Sequence, residues 1–435
     1  MERENAVYVD LAGKPRMVGR LWTRFRRGQE SATFEYSRSW LGDPERFALE
    51  PALALGPGPH HTSSDKAIFA AIGDSAPDRW GRVLMRRAER RAAESEKRTP
   101  RTLSEIDFLM QVDDEARQGA LRFAGTEGGP FLETSTARGG SRIPLWLELP
   151  KLLSATERVL GDSEQDEDMR LLLAPGSSLG GARPKASIRD RKGALSIAKF
   201  PQKSDELRSV LWEAVALELA GKSGIEVPEW SLEVVARKPV LILKRFDRKG
   251  SVRIPFLSAM SMLGANDHET HSYLEIVAAI RRHGAATKQD LWQLWRRIVF
   301  SILISNTDDH LRNHAFLYAG NQGWRLSPAY DLNPVPAEFK PRILTTLIDE
   351  NDGTASMELA FSVTTQFLLP LADARRIAAE VAKAVSRWRT VADRFGLRKV
   401  ELDRVASAFE HRDLAGASGT GRKTVSRASM ASVTS

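Results

Sequence analysis

The amino-acid sequence predicts an α+β protein with two lobes, a β-containing N-terminal lobe and a mainly helical C-terminal lobe. Residues 5–55 contain short runs with strand character, such as AVYVDLAG and ATFEYSRSWL. Residues 185–246 alternate strand, strand, helix and strand, and from about residue 270 onward apolar residues recur mainly at helical spacing. With 435 residues, 42% of them hydrophobic, the chain can form more than one domain-sized unit.

The composition excludes several classes of site. The chain has no cysteine, which rules out disulfides, thiolate zinc sites and cysteine nucleophiles and fits a reducing compartment. The N-terminus lacks an apolar signal core, and no run approaches 18 uncharged apolar residues. We therefore expect a cytoplasmic protein with no membrane partner.

Positive charge is concentrated in one segment. The net charge is +8, and between residues 79 and 101 nine Lys or Arg residues stand against three Glu. A solvated helix face and a patch for nucleic acid or an acidic partner both remain open. Helical spacing predicts one helical stretch through residues 66–98 and another around 103–111. An acidic stretch follows at residues 162–168.

A glycine-containing stretch, SSLGGARPK at residues 177–185, leads into the first strand of the 185–246 region. Adjacent glycines let backbone amides approach a ligand closely. Ser178, Arg183 and Lys185 add donors that suit phosphate oxygens. The stretch is neither GxGxxG nor Walker A, so a plain flexible loop is the alternative.

Lys199 lies in the strand-like stretch ALSIAKFP and shares a face with Leu195 and Ile197. An ammonium on an apolar face needs an anion nearby unless it reaches solvent. Glu213 lies on or beside the apolar stripe of an amphipathic helix predicted within 207–229, and it is the nearest well-placed partner in sequence. An ion pair and a solvent-reaching lysine both remain open.

The stretch SNTDDHLRNHAFL at residues 305–317 follows a predicted helix over 290–304. Asp308 and Asn313 are five positions apart, and WRLSPAYDL, a predicted short strand and turn, presents Asp331. Phosphoryl transfer from ATP needs a carboxylate for the acceptor hydroxyl, oxygen ligands for Mg²⁺ and a lysine for the phosphates. The glycine stretch, lysine, glutamate, D-x-x-x-x-N spacing and final aspartate occur in the order expected for a kinase.

Two other interpretations of this loop remain. His310 and His314, four positions apart, could bind zinc with Asp308 or Asp309 as a third ligand. Alternatively, Asp308 and Asn313 cap backbone groups in a polar turn. Neither accounts for the lysine and glycine elements upstream. In the kinase interpretation, Asp309 and His314 structure the loop.

Together, SSLGGARPK, IAKFP, VLILKRFDR, SNTDDHLRNHAFL and LSPAYDL closely resemble the motifs of the HipA family, serine/threonine kinase toxins of bacterial toxin–antitoxin modules. PDRWGR (77–82) and DEARQGALRF (114–123) resemble the N-terminal region of that family, so the resemblance covers about residues 5–410. It implies a helical C-terminal lobe related to the phosphoinositide-kinase-like fold. The domains it implies are an N-terminal subdomain at 1–125, an α/β nucleotide-binding part at 126–250, a helical lobe with the catalytic loop at 251–412 and a disordered tail at 413–435.

The resemblance also implies roles for individual residues. Asp308 resembles the catalytic base, and Asn313 and Asp331 resemble the Mg²⁺ ligands. Lys199 resembles the phosphate-binding lysine, with Glu213 in support. Ser178 resembles the serine that family members autophosphorylate to shut off the kinase; a phosphate there would repel bound phosphates. The implied ATP-binding set is Gly180, Gly181, Ala182, Arg183, Pro184, Lys185, Lys199, Lys244, Arg245, Phe246, His310, Asn313, Tyr330 and Asp331.

The function implied by the resemblance is that of an Mg–ATP-dependent kinase toxin. Its substrate would be a translation-related protein, such as an aminoacyl-tRNA synthetase. Its partner would be a small helix-turn-helix antitoxin, through which it would reach DNA indirectly. The alternative is a catalytically weak kinase-fold scaffold or corepressor bound to a DNA-binding antitoxin. The joint retention of Lys199, Asp308, Asn313 and Asp331 favours the kinase.

Overall fold

The N-terminal part of the chain contains a five-stranded antiparallel sheet. The structure is a computed structural model that describes residues 2–26, 28–132, 143–173, 181, 183–202 and 205–417. The strands are β1 (Glu2–Leu11), β2 (Lys14–Arg26), β3 (Gln29–Tyr36), β4 (Pro59–His61) and β5 (Leu121–Ala124), in the order β4-β3-β2-β1-β5. Strand β2 is not among the strands predicted from the sequence. Its exposed face carries arginines that pair across the sheet, such as Arg20 with Glu4, and these hide its strand pattern.

A second antiparallel sheet of four strands follows. It consists of β6 (Lys185–Arg189), β7 (Leu195–Lys199), β8 (Trp230–Val235) and β9 (Lys238–Lys244), in the order β6-β7-β9-β8. The predicted strand, strand, helix, strand order lacks β8. This edge strand is mostly not buried, so it shows little of the hydrophobic run expected of a core strand.

Short strands also occur in the C-terminal part, which the sequence predicts to be mainly helical. They are β10 (Arg248–Lys249) and β11 (Val252–Arg253), which form a hairpin, and β12 (Phe256–Ser258), β13 (Ala315–Tyr318) and β14 (Trp324–Leu326), which form a three-stranded sheet in that order. Strand β13 directly follows the SNTDDHLRNH loop. The three-stranded sheet therefore supports one end of the predicted catalytic loop.

The helices of the described residues surround these sheets. They are α1 (Arg38–Leu41), α2 (Ala70–Gly73), α3 (Arg79–Ser95), α4 (Glu105–Met110), α5 (Leu149–Leu160), α6 (Asp166–Leu173), α7 (Ser209–Lys222), α8 (Ala259–Leu263), α9 (Tyr273–His283), α10 (Thr287–Leu303), α11 (Met357–Ser362), α12 (Leu371–Val385), α13 (Trp388–Arg394), α14 (Lys399–Val405) and α15 (Arg412–Ala417). In this described part of the chain, no helix combines the length and the apolar character that crossing a bilayer requires.

Helix α7 is enclosed on nearly all sides. The prediction of an amphipathic helix with a single apolar stripe is wrong, because every residue from Val210 to Leu217 is buried. Strands β7 and β9 contribute Ile197, Leu241 and Leu243 to the same core, and α12 and α13 also contact the helix. Glu213 is consequently buried as well, and a buried carboxylate needs a partner.

Helix α3 packs against the other face of the four-stranded sheet. Its Trp80 and Leu84 belong to one core cluster with α5, α6 and the alternate side chains of β6 and β7. The prediction of one helical stretch over 66–98 is only partly correct, since α2 and α3 are separate helices. Asp78 begins α3 by accepting a hydrogen bond from the Gly81 amide at 2.7 Å.

The basic segment that includes α3 is largely paired with acidic side chains. Five of its nine basic residues form ion pairs. Arg87 lies 3.0 Å from Glu164, and Arg91 lies 2.7 Å from Asp166. The acidic stretch noted in the sequence therefore neutralises part of this helix. The solvated-face interpretation is favoured over a free patch for nucleic acid.

The C-terminal end of the described chain is helical. The predicted disordered tail from residue 413 is wrong for residues 413–417, because these belong to α15. Asp413 is buried, lies 2.9 Å from Arg342 Nη1 and accepts a hydrogen bond from the Met357 amide at 3.0 Å. These contacts tie the helix to the lobe. The rest of the predicted tail, 418–435, lies outside the described residues.

Candidate active site

Lys199 lies at the centre of a buried charge network. It is the last residue of β7, and its Nζ donates to Glu213 Oε1 at 2.5 Å and to Asp331 Oδ1 at 3.0 Å. A lysine on the apolar face of a sheet is tolerated here because two carboxylates compensate its charge. The ion pair interpretation of Lys199 is therefore confirmed, and the structure brings three predicted site residues together.

The charges of this network depend on one another. Burial raises the pKa of Glu213, and the Lys199 ammonium opposes this. Burial acts in the same direction on Asp331, but Lys199 and Lys185 outweigh it and lower the pKa of Asp331 to about 2. Burial would lower the pKa of Lys199, but the Asp331 and Glu213 carboxylates reverse this and raise it. Asp331 and Lys199 are both ionised at neutral pH.

Asp331 has a left-handed backbone conformation with φ of 58°. Aspartate tolerates this region better than most residues, yet at a cost in free energy. As predicted, a short strand and a turn precede it, and Tyr330 OH donates to the Arg312 carbonyl at 2.7 Å. This bond joins the turn to the loop that carries Asp308. Such strained residues persist where their surroundings hold them in place.

Lys185 lies directly opposite Lys199 in the β6–β7 ladder, so two like charges face each other. Its Nζ donates to Asp78 Oδ2 at 2.8 Å, and both side chains are 3% exposed. Gly181 has φ of 103°, and a Cβ at this position would lie 3.1 Å from Lys185 Nζ. Glycine thus keeps space open beside a buried ammonium.

The other residues of the predicted phosphate loop differ in their surroundings. Arg183 donates to Asp205 Oδ1 at 2.8 Å and to the Ser209 hydroxyl. The Pro184 carbonyl accepts a hydrogen bond from the Phe200 amide at 3.0 Å, which continues the β6–β7 pairing by one residue. Ser178, Gly180 and Ala182 lie outside the described residues.

Asp308 projects into solvent from the loop between α10 and β13. Its side chain is 72% exposed, and Lys340 Nζ lies 3.9 Å from its Oδ1. Asn313 is buried at the end of a 3₁₀ turn, and its Nδ2 donates to the Asp308 carbonyl at 3.1 Å. Because Asn313 uses its amide nitrogen internally, its amide oxygen is the atom that can coordinate a cation.

Asp309 is buried beneath this loop. It accepts hydrogen bonds from the Tyr273 hydroxyl and from Ser301 Oγ, the latter at 3.1 Å, and its Oδ1 lies 2.9 Å from His314 Nε2. Burial raises the pKa of Asp309, but His314 and the hydrogen bonds outweigh it and lower that pKa. Asp309 and His314 hold the loop from below, in agreement with their predicted loop-structuring role.

The same contacts bear on the zinc alternative. His314 is directed towards Asp309, whereas the charge of His310 contributes to the lowered pKa of Asp331. Across the ranges that the structure describes, no three His, Asp or Glu side chains are grouped closely enough to hold a metal ion. The described residues therefore do not form the three-ligand zinc site considered from the sequence.

The remaining aromatic and basic residues of the implied ATP-binding set fall into two groups. Phe246 and Tyr330 have ring centroids 5.5 Å apart, so they form an aromatic pair next to the Asp331 turn. Lys244 ends β9 and lies 2.8 Å from Glu229 on the surface. These three side chains are positioned where β9 leaves the four-stranded sheet.

The Arg245 side chain points into the protein interior, towards the segment that contains Ala116 and Arg117. Its Nε donates to Asp247 Oδ1 at 2.8 Å, and its guanidinium also donates to the carbonyls of Ala116 at 2.5 Å and Arg117 at 3.0 Å. The side chain is buried and connects β9 to the DEARQGALRF segment. Only the backbone of Arg245 is therefore available to a nucleotide.

Sequence reasoning gave no role to two residues that the structure joins to this site. Asp78 lies within PDRWGR, inside the stretch of helical spacing at 66–98, and the available signal was that aspartate is a common N-cap residue. Tyr273 carried no signal, because a tyrosine at the start of an apolar helix usually indicates core packing. Both act through long-range contacts that spacing does not reveal.

Comparison with known proteins finds a domain family that matches part of this chain. Residues 177–388 match the HipA-like C-terminal domain. A Haemophilus influenzae protein named "Putative kinase" is 27% identical over 169 residues, which cover 34% of this chain and 49% of the relative. "Putative kinase Y4dM" of Sinorhizobium fredii is 32% identical over 136 residues, which cover 28% of this chain and 32% of the relative. The chain thus spans half or less of the length of these curated relatives.

A solved structure extends the similarity to nearly the whole fold. A chain of the Shewanella oneidensis MR-1 complex of HipA, HipB and operator DNA superposes with a TM-score of 0.62 at 16% identity, covering 95% of this chain and 97% of that chain. The α+β, two-lobed HipA-like fold is confirmed. The resemblance to the HipA family is confirmed as well: this protein carries a HipA-like C-terminal domain within a HipA fold.

Proposed function

We propose that the protein is a serine/threonine protein kinase that transfers the terminal phosphoryl group of ATP with the help of Mg²⁺. The observation that carries this proposal is the network in which Lys199 bridges Glu213 and Asp331. Kinases require a fixed lysine for the phosphates and an ionised aspartate for the metal. The names of the curated relatives and the HipA-like domain support the same activity.

Asp308 is the proposed catalytic base. Its exposed carboxylate can accept a hydrogen bond, and then the proton, from an incoming serine or threonine hydroxyl. Lys340 Nζ lies 3.9 Å from this carboxylate, so a positive charge stands beside the proposed base. The hydrogen bond from Asn313 Nδ2 to the Asp308 carbonyl holds the backbone of Asp308 in place.

Asn313 and Asp331 are the proposed ligands of Mg²⁺. An amide oxygen and an ionised carboxylate are the hard oxygen donors that Mg²⁺ prefers, and the low pKa of Asp331 keeps its carboxylate ionised, so the donor set fits. When bound, Mg²⁺ neutralises charge on the phosphates. Lys199 and Lys185 donate to phosphate oxygens beside Gly181, and Phe246 with Tyr330 offers apolar surface to the adenine.

The biological role that we propose is that of the toxin in a toxin–antitoxin module. The supporting observation is the fold shared with a chain of the HipA, HipB and operator DNA complex. A small helix-turn-helix antitoxin like HipB would bind this chain and link it to DNA, in the cytoplasm. The substrate would be a translation-related protein, such as an aminoacyl-tRNA synthetase, and autophosphorylation at Ser178 would inhibit the kinase.

The test is phosphotransfer from labelled ATP by the purified protein and by Asp308→Gln. Wild type should label itself or a protein in a cell extract, and Asp308→Gln should reduce labelling by about 100-fold or more, as expected for loss of a general base. Asp403→Asn, which removes an exposed carboxylate paired with Arg389 on the surface, should label as wild type does. Ser178→Ala should remove self-labelling if Ser178 is the acceptor.

The outcomes separate the candidates. If wild type labels nothing while still binding an antitoxin, the scaffold or corepressor alternative replaces the kinase. If Asp308→Gln labels as well as wild type, Asp308 is not the base. Growth arrest on expression, relieved by Asp308→Gln, would distinguish a toxin from a housekeeping kinase.

A further inference from the structure

Asp78 is the feature of the site that the proposed function leaves unexplained. It lies in the N-terminal part of the chain, 107 positions before Lys185 and outside the residues matched by the HipA-like C-terminal domain. Its two carboxylate oxygens accept hydrogen bonds from different groups. Oδ1 accepts from the Gly81 amide at 2.7 Å and so begins α3, and Oδ2 accepts from Lys185 Nζ at 2.8 Å. The carboxylate is therefore held by the helix that it caps.

The position of Lys185 needs such an anchor. Lys185 and Lys199 are direct cross-strand neighbours, and like charges in this relation repel each other. Lys199 is compensated by Glu213 and Asp331. Asp78 supplies a carboxylate on the Lys185 side, so the two ammonium groups can both remain within the same buried corner of the sheet.

The surroundings of Lys185 leave room for an anionic ligand. Its side chain is 3% exposed, and its ammonium lies 3.1 Å from the position that a Cβ on Gly181 would occupy, so the glycine keeps space open beside the charge. Helix α3 is itself fixed to the four-stranded sheet, because Trp80 and Leu84 pack in the core that β6 and β7 share. A rigid chain of contacts thus runs from the sheet through α3 and Asp78 to the ammonium.

We propose that Asp78 is a positioning residue of the nucleotide site, which sets the place of the Lys185 ammonium for the phosphates of ATP. The N-terminal part of the chain then contributes to nucleotide affinity and is more than an appended subdomain. This inference rests on the proposed function, since it needs ATP to be the ligand. Asp78 touches no phosphate in this account and acts only through Lys185.

The experiment measures ATP affinity in the presence of Mg²⁺ by calorimetry, together with KM and kcat of phosphotransfer, on the full-length protein. Asp78→Asn keeps an N-cap acceptor for α3 but removes the charge that holds Lys185. We expect KM and the dissociation constant for ATP to rise about tenfold while kcat changes less than threefold, because an interaction made equally in the ground and transition states is lost. Asp166→Asn in helix α6 is the matched control. It removes the exposed carboxylate that pairs with Arg91 of helix α3, and it should change neither KM nor the dissociation constant for ATP.

The decisive variants combine Asp78→Asn with Lys185→Met. If Asp78 acts through Lys185, adding Asp78→Asn to Lys185→Met should change ATP affinity by less than twofold. The double variant should also unfold at a higher temperature than Lys185→Met alone, since it leaves no buried unpaired carboxylate. Wild-type affinity in Asp78→Asn, or a full tenfold loss in the Lys185→Met background, would overturn the inference. Failure of the wild type to bind ATP would instead overturn the proposed function, and this inference with it.

Discussion

The Glu213 carboxylate lies 2.5 Å from Lys199 Nζ, with the helix α7 and the strand β7 both buried around them. Taking two charges out of water costs free energy that their attraction does not always return. A pair of apolar side chains could pack in the same core without this desolvation cost. The retention of this ion pair beside Asp331 is therefore best explained by a need for charge at this corner of the sheet.

The first prediction concerns Glu213→Gln. Lys199 loses one of its two carboxylate partners, so the free energy of unfolding should fall by about 3 kcal/mol, and kcat/KM for phosphotransfer should fall about 100-fold because Lys199 is misplaced. Urea unfolding and steady-state kinetics measure the two effects. Glu218→Gln on the same helix removes a surface partner of Lys222 and Arg394; it should cost at most about 1 kcal/mol and leave activity unchanged. Equal effects of the two variants would contradict the prediction.

The second prediction concerns the support of the proposed catalytic loop. Asp309→Asn keeps the size of the side chain but removes the charge that faces His314 and accepts from Tyr273 and Ser301, and it should destabilise the protein by about 2–3 kcal/mol at pH 7. The pKa of Asp309 is lower in the folded protein than in the unfolded chain, where it is near 3.8. The stabilisation from its charge is therefore present above that unfolded pKa and is lost as the pH falls through the lower folded pKa. The gap between wild type and variant should therefore close as pH falls below about 4.

Tyr273→Phe serves as the companion variant for this experiment. It removes one donor to Asp309 and leaves the charge in place, so it should cost about 1–2 kcal/mol at pH 7. Denaturant midpoints at several pH values measure both variants. A pH-independent gap for Asp309→Asn would show that its carboxylate is not ionised in the folded protein.

The third prediction concerns Glu50, a buried carboxylate outside the site. Its Oε2 accepts from the Ala71 amide at 2.5 Å, and burial, with a contribution from Asp74, raises its pKa from 4.5 to about 7. The folded state therefore holds this proton more tightly than the unfolded state, so stability associated with Glu50 is present below pH 4.5 and is lost as pH rises towards 7.

Glu50→Gln should consequently match wild type at pH 4.5 and exceed its stability by up to roughly 3 kcal/mol above pH 7. Glutamine preserves an acceptor for the Ala71 amide. Thermal or urea unfolding across this pH range measures the difference. Glu45→Gln, at an exposed position, should give a flat difference, and a flat difference for Glu50→Gln as well would refute the buried, protonated carboxylate.

The fourth prediction concerns the basic helix α3. Arg87 is paired with Glu164 and Asp162, so Arg87→Gln should lower the free energy of unfolding by about 1 kcal/mol. The exposed Arg90 provides the comparison, and Arg90→Gln should leave stability unchanged. We expect neither variant to alter the salt dependence of DNA binding by the isolated chain. If Arg90→Gln makes the slope of log K for DNA binding against log salt concentration shallower by about 1, α3 is a phosphate-contacting surface.

Local patterns were sufficient for much of the candidate site. The period-two alternation around Lys199 placed its side chain on the face that meets α7. The five-residue spacing from Asp308 to Asn313 predicted a kinase-type loop, and the structure adds a hydrogen bond from Asn313 Nδ2 to the Asp308 carbonyl. Local sequence did less well for β2 and β8, whose exposed faces carry charged or polar residues instead of a continuous hydrophobic pattern.

The sequence by itself determined the fold class and the catalytic-loop candidate and singled out Lys199 and Glu213 as candidates, because these inferences depend on spacing within single elements. Only the tertiary structure decided which distant groups compensate each charge. Asp331 joins Lys199 from 132 positions away, Asp78 joins Lys185 from 107 positions away, and an acidic stretch covers the basic helix. Ion pairs in a buried corner follow from the packing of whole elements against a sheet, and no local spacing encodes that packing.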